Sequence, residues 1–218
     1  MPKKKNKNYK EEYKEFINIP EDKKERILYI KKMLNFKEKD EKKLKEEIKK
    51  IKKKKQNKKI LKMVFYIVPE GIGRPRRGRG NKFYIPNIQK FYDCMEDYLK
   101  IHKELSEFCI FTECKLDLKY YLKIPSDMKK IEKLLAELKY IVPIKKPDWD
   151  NLGKGSDMFK YIWLDDSLVS DGRVRKYYSF KPRIEVRIVY YSDFCNEYHK
   201  RNIEKLFKGV KSNGTTIL

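Results

Sequence analysis

Hydrophobic positions along this chain change period several times, and each change marks an element. Ile27, Ile30, Met33 and Leu34 recur at helical spacing after Pro20-Glu21-Asp22, a proline and two acids suited to a first turn. From Asp40 on, Leu44, Ile48 and Ile51 form a second stripe, supported by Glu41–Lys45 and Glu46–Lys50 pairs. Together they predict a helical hairpin or a short coiled segment. From Lys62 the period shortens to that of a strand, Met63 to Val68, closed by Pro69-Glu70-Gly71. Phe83-Tyr84-Ile85 reads as a short return strand. Asn87 then caps a helix whose core face is Ile88, Phe91, Tyr92, Met95, Tyr98 and Leu99, with His102 in a structural place near its end.

Leu116, Leu118, Tyr120 and Leu122 alternate as a strand, and a helix after Pro125-Ser126 carries Met128, Ile131, Leu134, Leu135 and Leu138. Ile141 to Ile144 lead to a polar segment, followed after Asn151 by a short helix to about Tyr161. Val174 to Ser179 and Ile184 to Tyr190 read as two more strands, expected as antiparallel neighbours. A helix from Asp193 through Phe207 frays into Ser212-Asn213-Gly214. The chain shows no repeats. The expectation is an α/β chain of the α+β kind: a small mixed sheet flanked by helices, behind a basic helical extension. Its segments divide at 1–61, the lysine-rich extension, 62–193, the globular domain, and 194–218, a helical tail.

Charge changes the picture. Lys and Arg number 55 against 32 Asp and Glu among 218 residues, a net +23. Residues 1–62 hold 25 of those bases and 11 of the acids, so the first part of the chain is a basic arm, either a solvated helix, an electrostatic contact for DNA or a dimerisation element. No apolar run approaches 18 residues, and Met1-Pro2-Lys3-Lys4-Lys5 has no hydrophobic segment behind it. A soluble, cytoplasmic protein with no membrane partner is expected. Cys94, Cys109, Cys114 and Cys195 show no C-x-x-C spacing and there are only two histidines, which argues against zinc and for reduced, mostly core-filling thiols.

Between Ile72 and Phe83 lie Arg74, Arg76, Arg77 and Arg79, interleaved with glycines, and Lys82. Arginine's planar fork donates in pairs to phosphate and glycine lets backbone approach a ligand, so this loop is read as a DNA contact.

Four aspartates stand out in so basic a chain. Asp148 and Asp150 flank Trp149 in Lys146-Pro147-Asp148-Trp149-Asp150-Asn151-Leu152-Gly153-Lys154, and Asp165-Asp166 follow. In an extended segment residues two apart share a face, which would give two oxygens to a hard cation and turn Trp149 into the core. The competing reading makes the same residues turn and N-cap groups at the start of a helix.

The run from Lys146 to Val169, with Trp163-Leu164-Asp165-Asp166-Ser167-Leu168-Val169 at its end, resembles the signature of the RusA family of Holliday-junction resolvases. The resemblance extends to Phe65-Tyr66-Ile67-Val68-Pro69, Gly73-Arg74-Pro75-Arg76 and Tyr84-Ile85-Pro86 upstream and to Pro182-Arg183-Ile184-Glu185-Val186 downstream, about residues 63 to 191 in all. It implies a RusA-like fold in which Asp148, Asp150 and Asp166 are metal-binding carboxylates and Lys154 is the essential lysine. Asp165 matches a further acid, whose side chain in extended backbone would face away from that of Asp166. The interval from Asp150 to Asp166 is about three residues shorter than in typical members, nearly one helical turn, and this puts the place of Asp157 in question.

The resemblance further implies an endodeoxyribonuclease that uses Mg²⁺, with Mn²⁺ as the alternative ion, and a homodimer that nicks two strands of a four-way junction. Asp148, Asp150, Lys154 and Asp166 would be its catalytic group. Two other readings stand beside it: a nuclease for flaps, forks or phage packaging intermediates, and a basic nucleic-acid-binding protein without catalysis. Lys154 beside the paired aspartates favours the nuclease, since a pure helix cap has no use for it.

Overall fold

The computed structural model describes residues 19–20, 22–77, 83–85 and 87–212. Glu21, Arg79, Lys82, Pro86 and the expected frayed tail at 213–214 lie outside the described residues. The chain divides into two compact units, Met1–Lys50 and Ile51–Leu218.

In the first unit Asp22 caps helix α1 (Lys23–Met33), its carboxylate accepting from the Lys24 and Glu25 amides at 2.9 and 3.0 Å. That satisfies two of the donors a first turn leaves without partners. Asn35 turns the chain at φ 51, a left-handed value that Asn tolerates. Helix α2 (Glu38–Gln56) follows, tied back by a Lys31–Glu41 ion pair. Neither helix buries a residue: Leu28, Met33 and Leu34 stay well exposed.

The second unit is built on four strands, β1 (Lys58–Phe65), β4 (Cys114–Lys123), β5 (Val169–Ser179) and β6 (Arg183–Tyr191), in the order β1-β6-β4-β5. Two-residue strands β2 (Arg76–Arg77) and β3 (Phe83–Tyr84) form a separate antiparallel ladder, so the arginine loop is a hairpin. This is the mixed sheet and α+β class expected. β1 starts four residues before the expected Lys62, because it is an edge strand whose outer half is lysine-rich and uncovered, and this masks the alternation.

β5 and β6 are not neighbours. β6 pairs antiparallel with β1 and β4, while β5 lies parallel to β4 on its far side. β4, with Cys114, Leu116, Leu118, Tyr120, Tyr121 and Leu122 buried, is an inner strand between β6 and β5. Glu137, at the end of α4 (Lys130–Glu137), accepts from the Ser179 hydroxyl at 3.1 Å and the Phe180 amide at 2.7 Å, and these bonds steer the β5–β6 connection over the end of β4 instead of into a hairpin.

Parallel strands need a crossover, and here it is residues 124–168. Helix α3 (Ile88–Ile101), α4, α5 (Trp149–Gly153), a 3₁₀ segment Lys154–Tyr161 and α6 (Glu197–Ser212) complete the fold. Phe91, Met95, Leu152, Met158, Phe159 and Ile203 pack with Met63, Leu118, Tyr120 and Ile184 in one core. Asn87 occupies the N-cap of α3 at φ 65 but makes no side-chain cap bond; its amide donates instead to the Gly71 carbonyl. All four cysteines are free, Cys114 and Cys195 buried, Cys94 half-buried and Cys109 exposed. No described helix is long and apolar enough to cross a membrane.

Candidate active site

The paired aspartates lie inside the β4–β5 crossover, at the start of α5 rather than on a strand. Pro147 precedes, Asp148 takes extended backbone at the N-cap, and Asp150 falls in the first turn. On backbone grounds the capping reading is therefore right. On side-chain grounds it is not, since the Asp148 carboxylate makes no cap hydrogen bond. Trp149 is 60% exposed rather than core-facing, because one helical step does not turn a side chain to the opposite face as a strand step does.

Five hydrogen bonds, to its main-chain carbonyls or from the Trp149 indole, hold this short segment. Lys176 Nζ on β5 donates to the Lys145 and Pro147 carbonyls at 3.0 and 3.1 Å. The Trp149 indole N–H donates to the Val174 carbonyl at 3.0 Å, and the Ile72 amide to the Asn151 carbonyl, also at 3.0 Å. The buried Tyr120 hydroxyl donates to the Leu152 carbonyl at 2.7 Å, and burial pushes its pKa up. Gly71 lies against the segment so closely that a Cβ there would meet Pro147 Cβ at 2.9 Å. A five-residue helix has little stability of its own, so these partners determine where its aspartates point.

Lys154 Nζ donates to Asn151 Oδ1 at 2.8 Å and stands 3.7 Å from Asp150 Oδ2. Helical spacing of three and four residues brings the three groups together. Asp165 caps the 3₁₀ turn Asp166–Leu168, accepting from the Ser167 amide at 2.8 Å; the Ser167 side chain first, and this amide second, lower its pKa. Asp166 is exposed. Burial raises the pKa of Asp157, the nearby charge of Asp166 adds to the rise, and Lys160 opposes it. The structure thus gathers Asp150, Asn151 and Lys154 in one place and makes Asp157 and Asp166 electrostatic neighbours. Among the described residues no three Asp, Glu, His or Cys side chains converge as a metal-binding group. Arg74, Arg76 and Arg77 are exposed on the arginine hairpin.

Lys176, Gly71 and Tyr120 were missed by sequence reasoning as parts of this site, while Asp157, whose place the shortened interval put in question, lies near Asp166. A tyrosine in an apolar strand hints at a buried hydroxyl in need of a partner; Lys176 carries no comparable signal.

The family described as Endodeoxyribonuclease RusA matches residues 66–189, more than half of the chain. This chain belongs to the RusA endodeoxyribonuclease family. As a RusA-family protein it is a hydrolase acting on DNA, with the family's Holliday-junction resolvase activity. The protein named "Uncharacterized protein YqaN" of Bacillus subtilis (strain 168) is 34% identical over 137 residues, 59% of this chain and 94% of that relative. The match begins near the end of β1 and ends within β6, so it contains the arginine hairpin, the crossover and all four aspartates.

RusA-family nucleases of this kind generally use a divalent metal. The donor chemistry of this chain fits one: Asp148 leaves its cap bond unmade, and Asp148, Asp150 and Asp166 expose hard carboxylate oxygens.

Proposed function

We propose that this RusA-family nuclease is a homodimer that resolves four-way DNA junctions by paired nicking, with Mg²⁺, or Mn²⁺ as the alternative, held by Asp148, Asp150 and Asp166. The observation that carries this reading is the pinned segment at the start of α5, where the exposed Asp148 carboxylate makes no cap bond and Asp150 stands one turn from Lys154, 3.7 Å from its ammonium. Bound there, the cation would polarise the scissile phosphate and acidify an attacking water.

Lys154 serves the developing negative charge on the phosphate. Asn151 and Asp150 hold its ammonium on the helix face, so it acts as a preoriented charge and transfers no proton. Arg74, Arg76, Arg77 and Arg79, with Lys82, bind phosphates away from the scissile one. Two subunits related by a twofold axis match the symmetry of a four-way junction. The nuclease segment is 62–193, with the remainder of β1 from Lys58 needed for its edge; 1–61 is a DNA-contacting extension and 194–218 a helical tail. The site of action is the cytoplasm of a bacterial or phage-infected cell.

The test is cleavage of a four-way junction, a fork and a linear duplex, with Mg²⁺ and with chelator. Symmetric paired nicks confined to the junction and abolished by chelator are expected. Equal cutting of the linear duplex would remove the junction assignment, and undiminished cutting in chelator would remove the metal.

Lys176 is a positioning residue in this scheme. Lys176→Met keeps the aliphatic stem but frees the Lys145 and Pro147 carbonyls from their donor. The expected result is a fall in kcat of about 10- to 100-fold, the range seen when an outer partner of a metal ligand is lost, with KM for DNA nearly unchanged and Lys176→Arg partly restoring the rate. A variant whose KM rises while kcat holds would show that Lys176 binds DNA instead.

A further inference from the structure

The sheet has one covered face and one open one. Side chains of β4 at 114, 116, 118, 120 and 122 enter the core, so those at odd positions and their cross-strand partners share the open face. On that face nine Lys or Arg stand against three acids, Asp117, Asp171 and Glu185. Each acid is already taken: Asp117 by Arg175, Asp171 by Lys115 at 3.3 Å and Arg173 at 3.6 Å, and Glu185 by Arg183 at 2.8 Å. The face therefore carries a cationic surplus that its own carboxylates do not absorb.

The surplus has a centre. Arg187 on β6 lies directly opposite Lys62 on β1 and, on its other side, Asp117 on β4, which pairs with Arg175; neither Arg187 nor Lys62 forms an ion pair among the described residues. Like charges at directly opposed positions destabilise a sheet, so this pair costs the fold something that an anion would return. Arg187 also lies where two concavities meet. One, of about 210 Å³, reaches Arg173 and Lys115 toward β5, and the other, of about 360 Å³, reaches Lys62 and Lys119 toward β1. They form a trough across four strands, roughly 14 Å at the usual strand spacing. That length suits a row of phosphates better than a single small anion, since duplex DNA carries one charge per about 1.7 Å of axis.

The trough is not the candidate active site. Val174 and Lys176, which anchor the aspartate segment, are at even positions on β5 and so belong to the other side of the sheet. β5 is an edge strand, and a path from trough to aspartates passes around it.

We propose that the open sheet face, centred on Arg187 and Lys62, is a second DNA-contacting surface that takes the sugar-phosphate backbone of a duplex arm while the aspartates act on another strand. This deepens the junction reading, because a branched substrate offers arms to both sides of the sheet, whereas a linear duplex does not.

The test uses the full chain carrying Lys62→Gln and Arg187→Gln, compared with a control of equal charge loss, Lys103→Gln and Lys130→Gln, at exposed positions away from the sheet face. Affinity for a four-way junction is measured by fluorescence anisotropy across a salt series. The slope of log K against log salt should fall by roughly 1.8 in the face variant, about 0.9 for each lost phosphate contact, and hold in the control. Equal changes in both, or none in either, overturn the proposal. So does a lowered Tm with an unchanged slope, which would mean that Arg187 serves Asp117 in the fold, and so does a change of oligomeric state with an unchanged slope, which would assign the face to a second copy of this chain. Wild-type cleavage is followed in parallel: if the wild type binds with the full slope but cuts nothing, the surface stands and the catalytic reading falls.

Discussion

Asp150→Asn should lower single-turnover cleavage of a four-way junction by more than about 100-fold, beyond the 10- to 100-fold typical of an outer-sphere partner, while junction affinity is retained or increased. The amide is nearly isosteric and the site is exposed, so the fold should not notice: Tm should stay within a degree or so of wild type. Lys154 keeps its 2.8 Å bond to Asn151 after the change, and its orientation survives the loss of the 3.7 Å contact to Asp150. What is lost is a hard oxygen donor and one negative charge facing the phosphate. Cleavage at the wild-type rate in Mg²⁺ would remove Asp150 from the catalytic group. A collapse of both Tm and activity would show that its role is structural.

The largest effect on stability is expected from Gly155→Ala. A Cβ built at Gly155 lies 2.4 Å from the Tyr120 hydroxyl oxygen and 3.0 Å from Phe91 Cε1. Both neighbours are 1% exposed and packed in the core, so neither can swing away. Overpacking of this kind costs about 1–3 kcal/mol. Pushing the Tyr120 hydroxyl off the buried Leu152 carbonyl adds a similar amount. A loss of about 3 kcal/mol, or roughly 6–12 °C in Tm for a chain of this size, is expected in thermal or urea unfolding. Because the displaced bond is also one of the ties on α5, residual folded protein should cut more slowly than wild type. A change below about 1 kcal/mol would mean that the core around Tyr120 relaxes, contrary to its close packing.

How far the sequence could be read depended on whether the signal was local. The alternation of Leu116 to Leu122 and the apolar face of Ile88 to Leu99 are patterns within a few residues, and each forms where it was expected, whereas the aspartate pair lies at a helix start instead of in an extended segment. Strand adjacency is not local. β5 and β6 are three residues apart in sequence yet lie on opposite sides of the heavily buried β4, and Glu137 holds the connection that crosses it. The reading of Trp149 failed for a related reason. An acid-x-acid motif is compatible with strand and helix alike, and one residue's difference in backbone state moves the intervening ring from core to solvent. Lys176 was invisible because its partners are main-chain carbonyls 29 and 31 residues away, and carbonyls leave no trace in composition.

The contact of Gly71 with Pro147 and the Ile72–Asn151 bond have a consequence for where a strand would be cut. Arg74 follows Ile72 by two residues, at most about 7 Å of extended chain. The first arginine of the hairpin is therefore leashed to the same turn that carries Asp148 and Asp150. A phosphate gripped by Arg74 would sit at a set distance from the carboxylates, and the spacing between the gripped and the severed phosphate would be a fixed length, as on a ruler. Adding residues between Ile72 and Arg74 would lengthen that ruler and move the nick along the strand without touching the chemistry that makes it.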